Sequence, residues 1–127
     1  MTDIGRSLVR SVYNWGRWPA LISQDGRWLA VGSTNGVLQV WDLRNRGLFR
    51  QSALSTEAVF PWVFVDGGQK LVISQPNDFL HEWDLTMWNE TRSWPAVNNM
   101  MSLVFSLNEQ WCLTFKPGVL REKKREE

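Results

Sequence analysis

Three sets of side chains in this sequence have residue types that could do chemistry. His81 lies next to Glu82 and close to Asp84, a combination that suits proton transfer or metal binding. Asp42 and Asp84 could act as paired carboxylates, and Cys112 could supply a thiol nucleophile. Because successive side chains of a strand point to opposite faces, His81 would face away from Glu82 and Asp84. We therefore expect His81 to be a surface histidine.

The other two candidates also favour structural roles. Asp42 and Asp84 each follow a tryptophan at the same place in a repeat, which indicates hydrogen bonding within the repeat. Cys112 stands between Trp111 and Leu113, where a small buried hydrophobe is the ordinary role. The sequence has no Gly-rich phosphate loop and no HExxH, CxxC or GxSxG motif. It therefore predicts no catalytic residue, no metal, no cofactor and no enzymatic activity.

Composition limits the classes of protein that this chain can represent. Its 127 residues have 43% hydrophobic and 21% charged side chains, which is typical of one compact domain. A formal net charge of +1 excludes the broad positive field of a general nucleic-acid binder. Because no run of 18 apolar residues occurs, we expect no membrane span. The prediction is a soluble, cytoplasmic protein that binds neither nucleic acid nor membrane.

Charge is unevenly distributed along the chain. Residues 1–50 hold seven basic and three acidic side chains, and residues 51–120 hold three basic and seven acidic ones. This division into +4 and −4 is either chance or a means of attracting a second copy or another partner.

A repeat of about 40 residues organises the sequence. DGRWLAVGSTNGVLQVWDL, residues 25–43, recurs as DGGQKLVISQPNDFLHEWDL, residues 66–85, and a weaker third copy begins near residue 107. Each copy alternates short apolar runs with Asp-Gly or Asn-Gly turn signals. The chain therefore reads as one repeat domain over 1–122, with units at about 5–43, 47–85 and 91–122, and a charged tail at 123–127.

Tight turns are predicted between the strands of each unit. Asn35-Gly36 favours a type I′ turn in which both residues have positive φ. Residues 4–13 have the spacing of a basic amphipathic helix that could attach to a membrane surface, but their likeness to the segment from Gly47 favours a strand.

The spacing and the two Trp-Asp dipeptides resemble the WD-repeat family of β-propellers. The resemblance implies an all-β partial β-propeller of about three four-stranded antiparallel blades, the third degenerate. The family's Gly-His pair is missing, so its hydrogen-bonded network would rest on Ser33 and Trp41, with Asn35 or Asp78 in the turn. The predicted structural positions of the repeats are Asp25, Gly26, Ser33, Asn35, Gly36, Trp41, Asp42, Asp66, Gly67, Trp83 and Asp84.

The resemblance also implies a non-catalytic scaffold that binds proteins. Propellers close with four to eight blades, so three blades would be completed by self-association or by another protein's blades. In a homodimer, the strand from Leu8 to Ser11 would pair beside the third unit of the other copy. The alternatives are a truncated piece of a longer propeller protein and an accessory propeller domain of an enzyme.

Tryptophans supply the candidate contact surfaces. Those on repeat strands, Trp28, Trp41, Trp83 and Trp111, are expected in the core or between blades. Aromatic and arginine side chains near loops often anchor partners. The first predicted partner-binding patch consists of Tyr13, Trp15, Arg17 and Trp18, and the second of Trp88 and Arg92. Burial against a missing neighbouring blade would explain both patches as well.

Overall fold

A computed structural model of the chain describes residues 9–12, 20–75, 79–98, 100 and 102–125. These residues form β-strands and one short 3-10 helix at Asp66–Gly68. The strands in chain order are β1 (Val9–Val12), β2 (Ala20–Ile22), β3 (Trp28–Gly32), β4 (Val37–Asp42), β5 (Gly47–Ala53), β6 (Phe60–Val65), β7 (Lys70–Gln75), β8 (Phe79–Asp84), β9 (Asn89–Pro95), β10 (Ser102–Ser106), β11 (Trp111–Lys116) and β12 (Val119–Lys124).

The strands make three four-stranded sheets in which every neighbouring pair is antiparallel. The first sheet contains β2 to β5 and the second contains β6 to β9, each in sequence order. The third sheet has the order β1-β10-β11-β12. The predictions of an all-β fold and of four-stranded antiparallel sheets are confirmed.

The N-terminal strand differs from its predicted place. Residues 9–12 form a strand and not a helix, but β1 pairs with β10 of the same chain, with Val9 opposite Ser106 and Val12 opposite Leu103. The prediction placed it beside the third unit of a second copy. Pairing within the chain satisfies the backbone groups of the edge of β10 locally.

Alternating burial places one side of the first sheet in a core. Along β4, Leu38 and Val40 are buried while their neighbours are only partly covered, as a half-buried strand requires. Ala30 of β3 lies on the same side, because it pairs directly with Val40. We call this side of the first sheet its forward face.

The forward face of the first sheet packs against the second sheet. The core between them consists of Ala30, Leu38, Val40, Val59, Phe64, Leu71, Ile73 and Leu85. Phe64 pairs with Leu71, and Leu71 pairs with Trp83, so these three share one side of the second sheet. We call that side its rear face. The two faces of the third sheet are named in the same way: residues that match forward positions of the first sheet by strand register form its forward face, and the others form its rear face.

Two glycines allow the linker between these sheets, residues 54–59, to lie against the first sheet. A Cβ on Gly32 would come within 1.9 Å of the Val59 carbonyl oxygen, and a Cβ on Gly36 within 2.0 Å of the Ser55 carbonyl oxygen. Val59 also donates its backbone N–H to the Ser33 carbonyl, at 3.1 Å. Any larger residue would push the linker away.

The third sheet extends further than the predicted domain end. Lys123 and Lys124 pair with Cys112 and Trp111, and Arg125 is buried. The first residues of the predicted charged tail therefore belong to the sheet, because pairing with β11 satisfies their backbone groups.

The chain divides into two compact units. One unit is Gly16–Pro95, which holds the first and second sheets, and the other is Ala96–Glu127 with Met1–Trp15, which holds the third. No helix in the described residues is long and apolar enough to cross a membrane.

Candidate functional site

The aspartate of the first Trp-Asp dipeptide holds the turn from β4 to β5. Asp42 Oδ1 accepts the backbone N–H groups of Arg44 and Asn45 at 3.1 and 3.4 Å, and Oδ2 accepts Asn45 Nδ2 at 2.9 Å and Arg27 Nη2 at 3.3 Å. Burial acts to raise the pKa of Asp42, but the Arg27 and backbone hydrogen bonds outweigh it and lower that pKa.

The second Trp-Asp dipeptide builds the same turn. Asp84 Oδ1 accepts the backbone N–H groups of Thr86 and Met87 at 2.9 and 2.8 Å. Positive φ occurs at the matching residues Arg46 (55°) and Trp88 (54°). Both sheets also have a register shift just before the dipeptide tryptophan. The two carboxylates therefore do structural work in separate turns.

A serine and an Asx residue hold the first turn of the repeat in two sheets. Asp25 Oδ1 accepts Ser23 Oγ at 2.7 Å and the Arg27 N–H at 3.0 Å, while Ser23 Oγ accepts the Trp28 N–H at 2.9 Å. The Ser23 and Arg27 hydrogen bonds lower the pKa of Asp25. Gly26 completes the turn with φ of 76°.

The third sheet repeats this arrangement. Ser106 Oγ donates to Asn108 Oδ1 at 2.7 Å, Asn108 Oδ1 accepts the Gln110 N–H at 3.0 Å, and Trp111 donates its N–H to Ser106 Oγ at 3.0 Å. Glu109 has the positive φ, 63°, that Gly26 has in the first sheet. The spacing Ser-x-Asx-x-x-Trp was the sequence signal for this network, and the sequence analysis missed it.

The Asn35-Gly36 turn forms in a different way from the prediction. Gly36 has φ of 88°, but Asn35 is not among the residues with positive φ, so the predicted type I′ turn is wrong. Ser33 accepts the Gly36 N–H on its carbonyl at 3.2 Å and the Val37 N–H on its hydroxyl at 2.9 Å, and its hydroxyl contacts Asn35 Oδ1. The serine hydroxyl thus substitutes for a backbone acceptor in the turn.

The hydrogen-bonded network that the family resemblance implied does not join Ser33 to Trp41. The Trp41 indole instead donates to Gln39 Oε1 at 3.2 Å, and Gln39 contacts Gln51 on the next strand. Among the described residues, the buried Trp83 Nε1 has no hydrogen-bond acceptor. Without the histidine, Trp41 has a partner on its own strand and Trp83 relies on packing.

Asp66-Gly67 forms the 3-10 turn before β7. Asp66 and Gly67 have φ of 53° and 66°, and Lys70 Nζ lies 3.4 Å from Asp66 Oδ2.

Lys70 also belongs to a charged cluster around Glu82 that was not predicted from the sequence. Fully buried Glu82 accepts Thr91 Oγ1 at 2.8 Å, and its Oε2 lies 3.2 Å from Arg92 Nε and 3.9 Å from Lys70 Nζ.

His81 is buried, and the prediction of a surface histidine is wrong. Its Nδ1 contacts Glu90 Oε1 across β8 and β9, and this pairing allows the ring to be covered.

Cys112 is buried and forms no disulfide within the described part of the chain. No group of three His, Cys, Asp or Glu residues that could hold a metal occurs in the same described ranges.

Trp88 and Arg92, the second predicted partner patch, both have contacts within the chain. Trp88 Nε1 donates to Ser52 Oγ at 2.7 Å, and its ring lies 5.4 Å from that of Trp83. Arg92 pairs with Glu82. Trp88 therefore packs at the contact between the first and second sheets and Arg92 within the second sheet, and a role of either residue in binding a partner stays a prediction. The first predicted patch, Tyr13, Trp15, Arg17 and Trp18, lies outside the described residues.

Large apolar side chains are exposed on the forward face of the third sheet. Trp111, Phe115 and Leu120 are 45%, 38% and 67% exposed. Trp111 was expected in the core or between blades. On the rear face of the same sheet, Leu103, Phe105 and Cys112 are buried, and Val119 is the exposed large apolar side chain. This asymmetry makes the forward face of the third sheet the candidate functional surface.

Comparisons with known proteins agree with the repeat structure. Over 63 residues, 49% of this chain, the sequence is 32% identical to Target of rapamycin complex subunit LST8 of Bos taurus and of Mus musculus. That stretch is 19% of the length of these relatives. No family model matches the chain.

Solved structures show the same fold. A chain of the "Crystal Structure of Mitotic Checkpoint Complex" superposes with a TM-score of 0.70 at 16% identity, covering 85% of this chain and 33% of that chain. The β-propeller domain of Myceliophteria thermophila Cps50 (Swd1) superposes with a TM-score of 0.60 at 14% identity, covering 93% and 40%. The three sheets are therefore propeller blades, and the chain spans less than half of each of these two structures.

Proposed function

The chain consists of WD repeats folded as β-propeller blades, and from this premise we propose that it is a non-catalytic module that binds proteins. The observation that carries the proposal is the exposure of Trp111, Phe115 and Leu120 on one face of the third sheet. Contiguous apolar surface of this kind is typical of protein-interaction sites. The polar side chains of the repeats, such as Asp42 and Asp84, are engaged in turns.

The names of the similar proteins support the same interpretation. Two relatives are described as subunits of the target of rapamycin complex, and one solved chain comes from the mitotic checkpoint complex. Because fold alone does not identify a partner, only the class of activity, binding to protein, is carried over to this chain. We expect the protein to act in the cytoplasm.

Capture experiments with matched variants test the proposal. The tagged protein and its Leu120→Glu variant are used to isolate bound proteins, with Val119→Glu as the control because Val119 is similarly apolar and exposed but lies on the other face of β12. We expect at least one protein to be lost with Leu120→Glu and kept with Val119→Glu. A bound set that is identical for all three proteins would contradict a binding role for this face.

The N-terminal aromatic patch is a separate part of the proposal. If Trp15 and Trp18 bind a partner, Trp15→Ala with Trp18→Ala will remove that protein from the captured set, while the midpoint of thermal unfolding stays the same. If the wild type and the double variant capture the same proteins, the N-terminal patch does not bind a partner and the proposed binding surface is the third sheet alone.

A second candidate is a segment of a larger propeller whose other blades come from elsewhere. The comparisons favour it because this chain spans 33% and 40% of the solved structures. In that case isolated blades would bind each other without a defined stoichiometry, which light scattering detects as a polydisperse mass.

A further inference from the structure

The exposed face of the third sheet corresponds to a face that is covered in the first sheet. Trp111 pairs with Lys124 as Trp28 pairs with Asp42, and Phe115 pairs with Leu120 as Gly32 pairs with Leu38. By this register Leu120 occupies the position of Leu38 and Leu113 that of Ala30. Leu38 and Ala30 are fully buried, whereas Leu120 is the most exposed of the large apolar side chains on its face.

The contact between the first and second sheets shows what kind of surface covers such a face. The second sheet covers Leu38 and Val40 with its rear face, including Leu71 and Ile73. At the edge of the contact, its turn after Asp84 reaches the outer strand β5: Arg50 Nη2 donates to the Thr86 carbonyl oxygen at 2.9 Å, in addition to the bond from Trp88 to Ser52. The matching surface is thus the rear face of a repeat sheet.

The first sheet has a rear face that is itself open. Ile22 pairs with Leu29, Leu29 with Trp41 and Trp41 with Leu48, so these four side chains lie on one side. Ile22, Leu29 and Trp41 correspond to Phe64, Leu71 and Trp83 of the second sheet, which pack against the first sheet, and Leu48 corresponds to Glu90. Ile22 is 59% exposed and Leu48 is 46% exposed. This face carries no charged side chain among these four positions.

We propose that the forward face of the third sheet docks onto the rear face of the first sheet of a second copy of this chain. Over the three strands β10 to β12, the contact would repeat between copies the packing of the first and second sheets within one copy. It brings Trp111, Phe115 and Leu120 of one protomer against Ile22, Leu29 and Trp41 of its partner, so that exposed apolar side chains of both faces lose contact with water.

Charge at the edge of the contact favours this occupant. The turn of the first sheet carries Arg44 and Arg46 at the positions that Thr86 and Trp88 have in the second sheet. In the contact within one copy, those two positions approach β5, which pairs with Val40. In the third sheet β1 pairs with β10, and no described strand occupies the position of β5, so β12 is the edge strand there. Its forward face carries exposed Glu122 at the position of Val40 and Lys124 at that of Asp42. Glu122 is the side chain of this edge that can pair with the two arginines of the other copy.

The proposed contact is head-to-tail, because the two surfaces differ. Such an interface either closes into a ring or continues into longer assemblies. In an open assembly, the protomer at each end keeps one of the two surfaces exposed. The inference deepens the proposed function by naming the partner, and it rests on the proposed binding role of the third sheet.

Light scattering after size-exclusion chromatography tests the proposal with two complementary variants. We expect the wild type to have at least twice the 14.8 kDa chain mass, and Leu120→Glu and Ile22→Glu each to be monomeric. Mixing the two variants should restore a species of twice the chain mass, because one intact surface remains on each. Val119→Glu should keep the mass of the wild type.

Three results would overturn the second copy as the occupant: a wild type that is monomeric at all concentrations, association that survives Leu120→Glu, or variants that stay monomeric when mixed. Each variant is first checked by thermal unfolding, and since both sites are largely exposed we expect midpoints close to that of the wild type. A monomer that still captures another protein through Leu120 contradicts this inference alone. A monomer with no Leu120-dependent partner contradicts the proposed function as well.

Discussion

The indole Nε1 of Trp88 donates a 2.7 Å hydrogen bond to Ser52 Oγ, and this bond joins the β8–β9 turn of the second sheet to the outer strand of the first. Trp88 has the positive φ that the turn requires, and Asp84 accepts the N–H groups that precede it. The Trp-Asp dipeptide therefore does more than close its own turn. It positions the side chain that fastens one blade to the next.

The bond between Trp88 and Ser52 should be measurable as a coupling energy. We expect Trp88→Phe and Ser52→Ala each to lower the free energy of unfolding, and their coupling in a double-mutant cycle to be about 0.5–1.5 kcal/mol, the net value of one hydrogen bond. Urea unfolding of the four proteins provides the measurement. Strictly additive losses would show that the two side chains do not interact in solution.

Asp84 should stabilise the protein through its acceptor oxygen and not through its charge. Asp84→Ala removes the acceptor for two backbone N–H groups, so we expect a loss of about 1–3 kcal/mol in the free energy of unfolding. Asp84→Asn keeps an oxygen in the same place and should cost clearly less. If the two variants lose equal stability, the charge and not the hydrogen bonding holds the turn.

Asp25 and Asp42 should make the protein sensitive to acid. Hydrogen bonds hold the pKa of both carboxyls below the ordinary value of 3.8 in the folded state. As the pH falls, the unfolded chain therefore takes up protons first, so the stabilisation is complete above that value and is lost as the pH falls below it.

Substitution of both aspartates tests this pH dependence. The difference in unfolding midpoint between the wild type and Asp25→Asn with Asp42→Asn should be largest at neutral pH and should shrink toward pH 2. A difference that stays constant across this range would show that ionisation of the two carboxyls does not contribute.

Gly32 should be more sensitive than Gly26 to the addition of a methyl group. Gly26 needs positive φ but has open space around it, so Gly26→Ala is expected to cost about 1–2 kcal/mol of backbone strain. Gly32→Ala would place Cβ 1.9 Å from the Val59 carbonyl oxygen and displace the linker between the sheets. We expect the larger loss of unfolding free energy for Gly32→Ala, and the reverse order would contradict the packing of this linker.

The charged cluster around Glu82 should tolerate loss of its acid better than loss of its arginine. Arg92→Met leaves the buried carboxylate with a weaker set of cations, and we expect a loss of about 3–5 kcal/mol. Glu82→Val introduces the residue that the first sheet has at this position, Val40, while Lys70 and Arg92 can still reach water. We expect it to cost much less, and an equal cost would contradict the burial of the charge.

The period and the strand order of the first two sheets could be predicted from the sequence because both follow from local patterns. The Trp-Asp dipeptides and the apolar runs identify the strands of the first two sheets, since turn signals separate them at regular spacing. The third repeat has Asn108-Glu109 where the first has Asp25-Gly26, and this makes it the weaker copy in the sequence, because residue type does not predict a positive φ at a glutamate.

Burial of polar residues could not be predicted because it depends on neighbours across strands. His81 is covered because Glu90 of β9 is within reach, and Glu82 is covered because Thr91 and Arg92 satisfy it. These partners lie nine or ten residues away along the chain and meet only through strand register. The exposure of Leu120 likewise depends on which surface covers its sheet, and a repeat pattern does not contain that information.

Photo-crosslinking from position 120 tests the central claim, that the forward face of the third sheet binds a protein. Benzoylphenylalanine replaces Leu120 in one protein and Val119, on the opposite face of β12, in the control. Irradiation of cells should give a covalent adduct of discrete mass from position 120 and none of that mass from position 119. Absence of any adduct from position 120, or the same adducts from both positions, would contradict the claim.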